Sequence, residues 1–187
     1  MAALPAPLPR EQSRPVKRRV PCRWHRRPTP SPSPCHRQTG EAVKVLLQRL
    51  QALQGERAEA YRLFEEGHRA YLSSAPHYDF PRYRQLVHEI TLAFNGISRE
   101  VLCIAGRLRD ELARPDLAQH LAHLQEREQE KLQLTAQLQL ARQQAQDQPD
   151  MDAHQQEVRE LKHKLIKTIE AISEILQDLK YDSEEVE

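Results

Sequence analysis

Several groups of side chains in this sequence have the types that carry chemistry. Cys22-x-x-His25, followed by Cys35-His36, sketches a zinc set. The first pair has ligand spacing, but the second pair is adjacent and strains a shared tetrahedron. The proline-rich stretch between the pairs offers nothing to preorganise them. His120 and His123 stand three residues apart, on one face if that stretch is helical, and supply half a metal site at best. Their glutamine-rich surroundings read as a solvated face. Cys103 lacks an identifiable base or an electropositive setting, so it reads as a packed, buried or half-buried side chain. The paired carboxylates Glu65-Glu66 and Glu184-Glu185 read as surface groups aimed at no pocket. The chain contains no glycine-rich phosphate loop, no Gly-x-Ser-x-Gly elbow and no His-Glu-x-x-His motif. The expectation is a protein that is not an enzyme and holds no metal or cofactor.

Two segments read instead as binding elements. Lys17-Arg18-Arg19 with Arg23, Arg26 and Arg27 has the character of a nuclear-localisation or nucleic-acid patch, and Trp24 in its midst could stack on a base. The same run equally suits a solubilising tail. The second segment is His77-Tyr78-Asp79-Phe80-Pro81-Arg82-Tyr83-Arg84. A plain hairpin loop needs only polar residues, yet this one gathers three aromatics and two arginines. One reading is a packed corner between helices. The other is a recognition surface built from Tyr78, Asp79, Phe80, Arg82, Tyr83 and Arg84, because tyrosine and arginine anchor interfaces.

Helices must position these groups. Val43, Leu46, Leu50, Leu53, Ala60, Phe64, Gly67 and Tyr71 fall on steps of three and four from Glu41 onward, with Arg57 as the polar interruption. Pro76 stops this helix and Pro81 restarts the chain. The second stripe, from Phe80 through Tyr83, Val87, Ile90, Phe94, Ile97, Val101 and Ile104 to Leu108, keeps the a/d spacing of a coiled-coil seam without a break. Leu86, Leu92 and Leu102 lie beside it and widen the apolar face toward that of a bundle. A third helix starts at Pro115. Its stripe is interrupted at Glu128 and Lys131, and twelve glutamines crowd residues 119–156, so it is expected to be the most exposed and least firmly packed. The fourth opens at Asp152 with Gln155 three residues on, a variant of the capping box. Its stripe is Val158, Leu161, Leu165, Ile169, Ile172, Leu176 and Leu179, with Ile166 and Ile175 alongside. Short links force antiparallel neighbours. The fold class expected is all-α: an antiparallel long-helix bundle with coiled-coil character and about four helices.

Composition agrees with this reading. Aromatics are 5%, glycines number five and charged residues are 29%, which suits long solvated helices better than a sheet. Charge is segregated: residues 1–40 carry nine Lys/Arg against Glu11 alone and nine of the 13 prolines, whereas the other residues net −7. Residues 1–40 are therefore expected to form a disordered basic tail that could hold nucleic acid non-specifically. Residues 41–182 are expected to fold, and 183–187 to form an acidic tail. No stretch approaches the ~18 apolar residues of a membrane span, and residues 1–20 lack the apolar core of a secretory signal. The expectation is an intracellular chain, nuclear or cytoplasmic, without membrane contact. The seam on the second helix could be satisfied within the chain or by a second copy, leaving homo-oligomerisation open.

Several blocks carry a family resemblance: Phe64-Glu65-Glu66-Gly67-His68-Arg69-Ala70-Tyr71-Leu72, then Tyr78 to Arg84, Val87-His88-Glu89, Ser98-Arg99-Glu100-Val101-Leu102, and the stretch from Lys164 to Leu179. Taken in order, over roughly 41–182, the chain resembles the required for excision 1-B domain family. The glutamine-rich third helix matches least, and residues 1–40 do not match the family's usual amino-terminal region. The resemblance implies a helical protein connected with excision repair of damaged DNA, and it carries no catalytic residues over. The function expected is a non-catalytic adaptor acting through contacts with unidentified protein partners. The alternative from the residues alone is a coiled-coil scaffold subunit of a cytoplasmic or cytoskeletal assembly.

Overall fold

The computed structural model describes residues 34–184, with side chains from Thr39 onward. Four α-helices make up almost all of this length: α1 (Pro34–Ser73), α2 (Phe80–Asp110), α3 (Pro115–Asp147) and α4 (Asp152–Glu184). At 1.5 Å per residue each runs roughly 45–60 Å. No strand occurs among the described residues.

The links fall where backbone chemistry requires them. After α1, the Ser74 hydroxyl donates to Tyr71 O at 2.6 Å and accepts from the Asp79 backbone N–H at 3.2 Å. Asp79 then caps α2, its carboxylate accepting from the Arg82 N–H at 3.2 Å, with Pro81 in the first turn. Between α2 and α3, Ala113 takes a left-handed conformation (φ 53°), and the Arg114 N–H reaches back to Leu108 O at 2.8 Å. Pro115 opens α3.

Antiparallel pairing is visible in the core. At one end, Val43, Leu46, Leu50 and Leu53 of α1 meet Ile97, Val101, Ile104 and Leu108 of α2, the first turns of α3 (Leu117, Leu121, Leu124) and the last turns of α4 (Ile172, Leu179). Each large side chain buried here contributes about 1.5–3 kcal/mol. Toward the other end the core divides. Ala60 and Phe64 pack on Ile90, Phe94 and Leu132, while Leu138, Ala141 and Ala145 pack on Val158 and Leu161.

That division makes α3 the central helix, packed on both α2 and α4, which corrects the expectation of a weakly packed third helix. Its apolar positions serve two faces, with Leu132 turned to α1 and α2, and Leu138 and Ala141 turned to α4. Because they never collect into one stripe, periodicity underrates them. Glu128, Thr135 and Gln139 are buried with them.

Smaller departures are seen as well. Helix α1 begins at Pro34 rather than Glu41, and α4 continues through Glu184 rather than ending at 182. On α4, Thr168 takes the buried position expected of Ile169, which is 41% exposed. Phe80, the first residue of the α2 stripe, is exposed, and full burial begins only at Ile90. The basic run, Trp24, Cys22 and His25 lie outside the described residues, as do the side chains of Cys35 and His36 and the acidic residues 185–187.

Candidate functional site

The segment from His77 to Arg84 joins α1 to α2, and the structure divides its side chains into two sets. Tyr78 and Tyr83 turn inward. The Tyr71 ring stacks on Tyr78 at 4.9 Å and on Tyr83 at 4.6 Å, and His68 lies 5.9 Å from Tyr83. The Tyr83 hydroxyl donates to Gln139 Oε1 at 2.6 Å, and Gln139 Nε2 donates in turn to Phe64 O at 3.4 Å. Tyr78 donates to Asp147 at the end of α3, which pushes its hydroxyl pKa up to about 12. Burial does the same for Tyr83, also to about 12. Gln146 Nε2 donates to Leu72 O at 2.9 Å, and Arg142 pairs with Glu65. The corner and the end of α1 are thus sewn to α3 by five hydrogen bonds, and with Asp79 spent on the α2 cap, three of the six candidate residues have structural duties.

The other three face outward. Phe80 is 57% exposed, and Arg82 and Arg84 are exposed on the same first turns of α2. Neither arginine has a carboxylate partner among the described residues. An exposed aromatic flanked by two free guanidinium groups on a rigid helix start is suited to anchoring a partner.

A second polar constellation crosses the middle of the bundle, and sequence reading marked only its outline. Arg57 of α1 donates to Gln54 Oε1 at 2.9 Å, to Ser98 Oγ of α2 at 3.2 Å and to Gln125 of α3. Gln54 Nε2 donates to Glu128 Oε1 at 2.9 Å, while Glu128 Oε2 has no hydrogen-bond partner. Burial lowers the Arg57 pKa, and Glu128 opposes that shift. Beside it, Lys131 Nζ sits 4.0 Å from the centre of the Tyr61 ring, and burial lowers the Lys131 pKa as well. Arg57 and Glu128 at its centre are buried, with Gln54, Ser98, Gln125 and Lys131 half-buried around them, so the layer orders the helices.

The remaining candidates are accounted for individually. His120 Nε2 lies 2.7 Å from Asp182 Oδ2, whose residue also accepts from Arg114 through its backbone oxygen at 2.9 Å. The pair ties the start of α3 to the end of α4, and His123 is exposed and apart from it. Among the described residues no three His, Cys, Asp or Glu side chains are grouped to hold a metal ion. Cys103 is exposed, which corrects the expectation of a buried or half-buried thiol. It sits two positions past the buried Val101, and that turns it to the outer face of α2. No helix among the described residues is long and apolar enough to cross a membrane.

The model of the DNA repair REX1-B family matches residues 45–142, just over half of the chain, and includes the corner, the Arg57 layer and most of α3. This chain belongs to the DNA repair REX1-B family. The required for excision 1-B domain-containing protein of Bos taurus is 48% identical over 147 residues, 78% of this chain and 79% of its own length. The protein of the same name from Mus musculus is 46% identical over 145 residues, 78% of this chain and 83% of its own length. No solved structure matches the chain. The family therefore connects this bundle with DNA repair, and the Phe64–Leu72, Tyr78–Arg84 and Ser98–Leu102 blocks that carried the resemblance lie inside the matched range, whereas the Lys164–Leu179 block lies beyond it.

Proposed function

We propose that this chain is a non-catalytic helical adaptor in excision repair, working in the nucleus through protein contacts, with Phe80, Arg82 and Arg84 as one anchoring point. One observation carries the reading: the corner expends Tyr78, Asp79 and Tyr83 on its own architecture and leaves an aromatic and two unpaired arginines on its outer side. A corner that only closed a hairpin would have no need of that second set. The reading as non-catalytic is supported by the engagement of the groups that could react. His120 is held by Asp182, and Arg57 and Glu128 are shut away from any substrate.

Proximity labelling in cells, with and without ultraviolet damage, tests the process. Repair factors are expected among the neighbours, with enrichment after damage. Neighbours drawn only from cytoskeletal or centrosomal assemblies would replace this reading with that of a scaffold subunit. Substituting Arg82→Ala and Arg84→Ala together is expected to reduce the labelled repair factors while leaving helicity unchanged by circular dichroism.

A further inference from the structure

The four helices do not close into a ring. Helix α1 packs on α2, α2 on α3 and α3 on α4, with no comparable packing of α1 on α4. Between α1 and α4 runs an open groove of about 760 Å³. It follows α1 from Thr39 to Gln54 and α4 from Leu176 to Glu184, which is about 22 Å, or four helical turns, along α1. Its floor is apolar, with Val43, Leu47 and Leu50 on one side and Leu176 and Leu179 on the other.

The same face of α4 extends past the groove proper. Positions seven residues apart recur on one side of a helix with only a small drift. Ile169 therefore lies in line with Leu176, Ser173 with Lys180, and Ile166 with Ser173. Ile166 is 54% exposed and Ile169 41% exposed, although both are large and apolar. Lys162, one further heptad from Ile169, ends the row. The stripe displays isoleucine and leucine between lysines and contains no carboxylate.

Charge at the rim is mostly positive. Lys44 on α1 and Lys180 on α4 flank the apolar floor. The lining carboxylate, Glu184, is only 4.0 Å from Lys180, and Arg114 is engaged by Asp116 at 2.6 Å. Lys44 and Lys162 have no carboxylate partner among the described residues. An apolar trough four turns long with lysines along its edges complements an amphipathic helix whose apolar stripe is bordered by acidic residues. The basic run of residues 1–33 has the wrong sign for this rim.

We infer that the groove between α1 and α4 is a second docking surface, which receives an acidic-flanked amphipathic helix of a partner protein. The inference rests on the adaptor reading and adds to it a site separate from the Phe80 corner. The probe is a synthetic peptide of about 20 residues, long enough to sustain a helix, with leucine on one stripe and glutamate on both flanks. A second peptide carries lysine in place of every glutamate. Fluorescence anisotropy with the full chain is expected to show at least about tenfold tighter binding of the glutamate peptide, which corresponds to about 1.4 kcal/mol. Lys44→Glu with Lys180→Glu is expected to reverse that order. Ile169→Asp, at an exposed position, is expected to weaken the glutamate peptide while helicity by circular dichroism stays unchanged.

Equal binding of the two peptides, binding of neither, or a preference unmoved by the charge reversal overturns the proposal. Sedimentation of the chain alone provides a further arm, because self-association abolished by Ile169→Asp would assign the groove to a second copy and overturn it too. Any of these results leaves the adaptor reading intact if Arg82→Ala with Arg84→Ala still depletes repair factors in cells. Loss of repair neighbours altogether overturns that reading first.

Discussion

Arg57 and Glu128 face each other across the middle of the bundle, Nη1 to Oε1 at 3.8 Å, with side-chain exposures of 3% and 7%. Gln54 bridges them, bonding to both. The second Glu128 oxygen is left without a partner in a site closed to water. Two charges have been taken out of solvent, and the geometry returns only part of the desolvation cost.

This arrangement makes the single and double substitutions differ sharply. Arg57→Met should cost about 3–5 kcal/mol, because it leaves Glu128 buried beside Gln54 with no cation. Glu128→Leu should cost a similar amount by stranding the guanidinium. The double variant should recover most of the loss and could exceed the parent by about 1 kcal/mol or more. Urea unfolding of the four proteins measures the coupling. Additive losses would mean that each side chain is satisfied by Gln54, Ser98 and Gln125 independently of the other.

Two glycines of α1 should respond in opposite directions to the same change. A Cβ on Gly67 would lie 1.9 Å from Leu86 Cδ2 of α2, whereas one on Gly55 meets nothing within 4 Å. Alanine gains up to about 1 kcal/mol over glycine in a helix, so Gly55→Ala should stabilise by nearly that amount. At Gly67 the gain is opposed by about 1–3 kcal/mol of overpacking, and a net loss of about 1 kcal/mol is expected. In a Leu86→Ala background Gly67→Ala should become favourable, and thermal unfolding of the pairs checks both signs.

Those two positions also mark how far sequence could see. Gly67 sits on the α1 stripe, and periodicity placed it at an interface, but nothing local identified Leu86 as the side chain that needs its missing methyl. Arg57 appeared as a break in the same stripe, and its burial stayed hidden because its partners are far along the chain, with Gln125 at a separation of 68 residues. Glu128 and Lys131 looked like faults in the α3 pattern for the same reason. By contrast, Ile90 to Leu108 of α2 was legible residue by residue, since every seam position there meets apolar neighbours and burial follows the spacing alone. The recognition corner was legible as a set of residue types. Its division into Tyr78, Asp79 and Tyr83 against Phe80, Arg82 and Arg84 required the position of α3.

His68 should give the bundle a pH dependence in the range just below neutrality. The ring is buried between Tyr71 and Tyr83. Burial lowers its pKa below the ordinary histidine value, nearby Arg142 lowers it further and Glu65 opposes them. In the unfolded chain histidine titrates near 6.5. Above that pH both states hold a neutral ring and the stabilisation is complete. As pH falls below about 6.5, the unfolded state takes up the proton first, and stability declines by at most about 1.4 kcal/mol per unit until the folded ring protonates too. Glu59, Glu100, Asp110 and Asp116 have pKa values held below the usual carboxylate range by their arginine partners, so their contributions persist until about pH 4.5. Thermal midpoints between pH 5 and 7 should therefore slope for the native chain and flatten for His68→Phe. An unchanged slope in that variant would assign the dependence to another group.

The corner itself can be divided by experiment into fold and recognition. Asp79 accepts the Arg82 N–H and closes the first turn of α2, so Asp79→Ala should cost about 1 kcal/mol of stability. Tyr83→Phe removes the hydroxyl that donates to Gln139 Oε1, and a comparable loss is expected because the buried amide oxygen is left unpaired. Arg82→Ala and Arg84→Ala change exposed, unpaired side chains on a helix that already favours alanine, and each should leave stability within about 0.5 kcal/mol. Partner capture should run the other way, with the arginine variants impaired and the Asp79 and Tyr83 variants near normal at temperatures well below their unfolding midpoints. If Asp79→Ala and Tyr83→Phe weaken capture as strongly as the arginine variants, the partner reads the shape of the corner and not the side chains it presents.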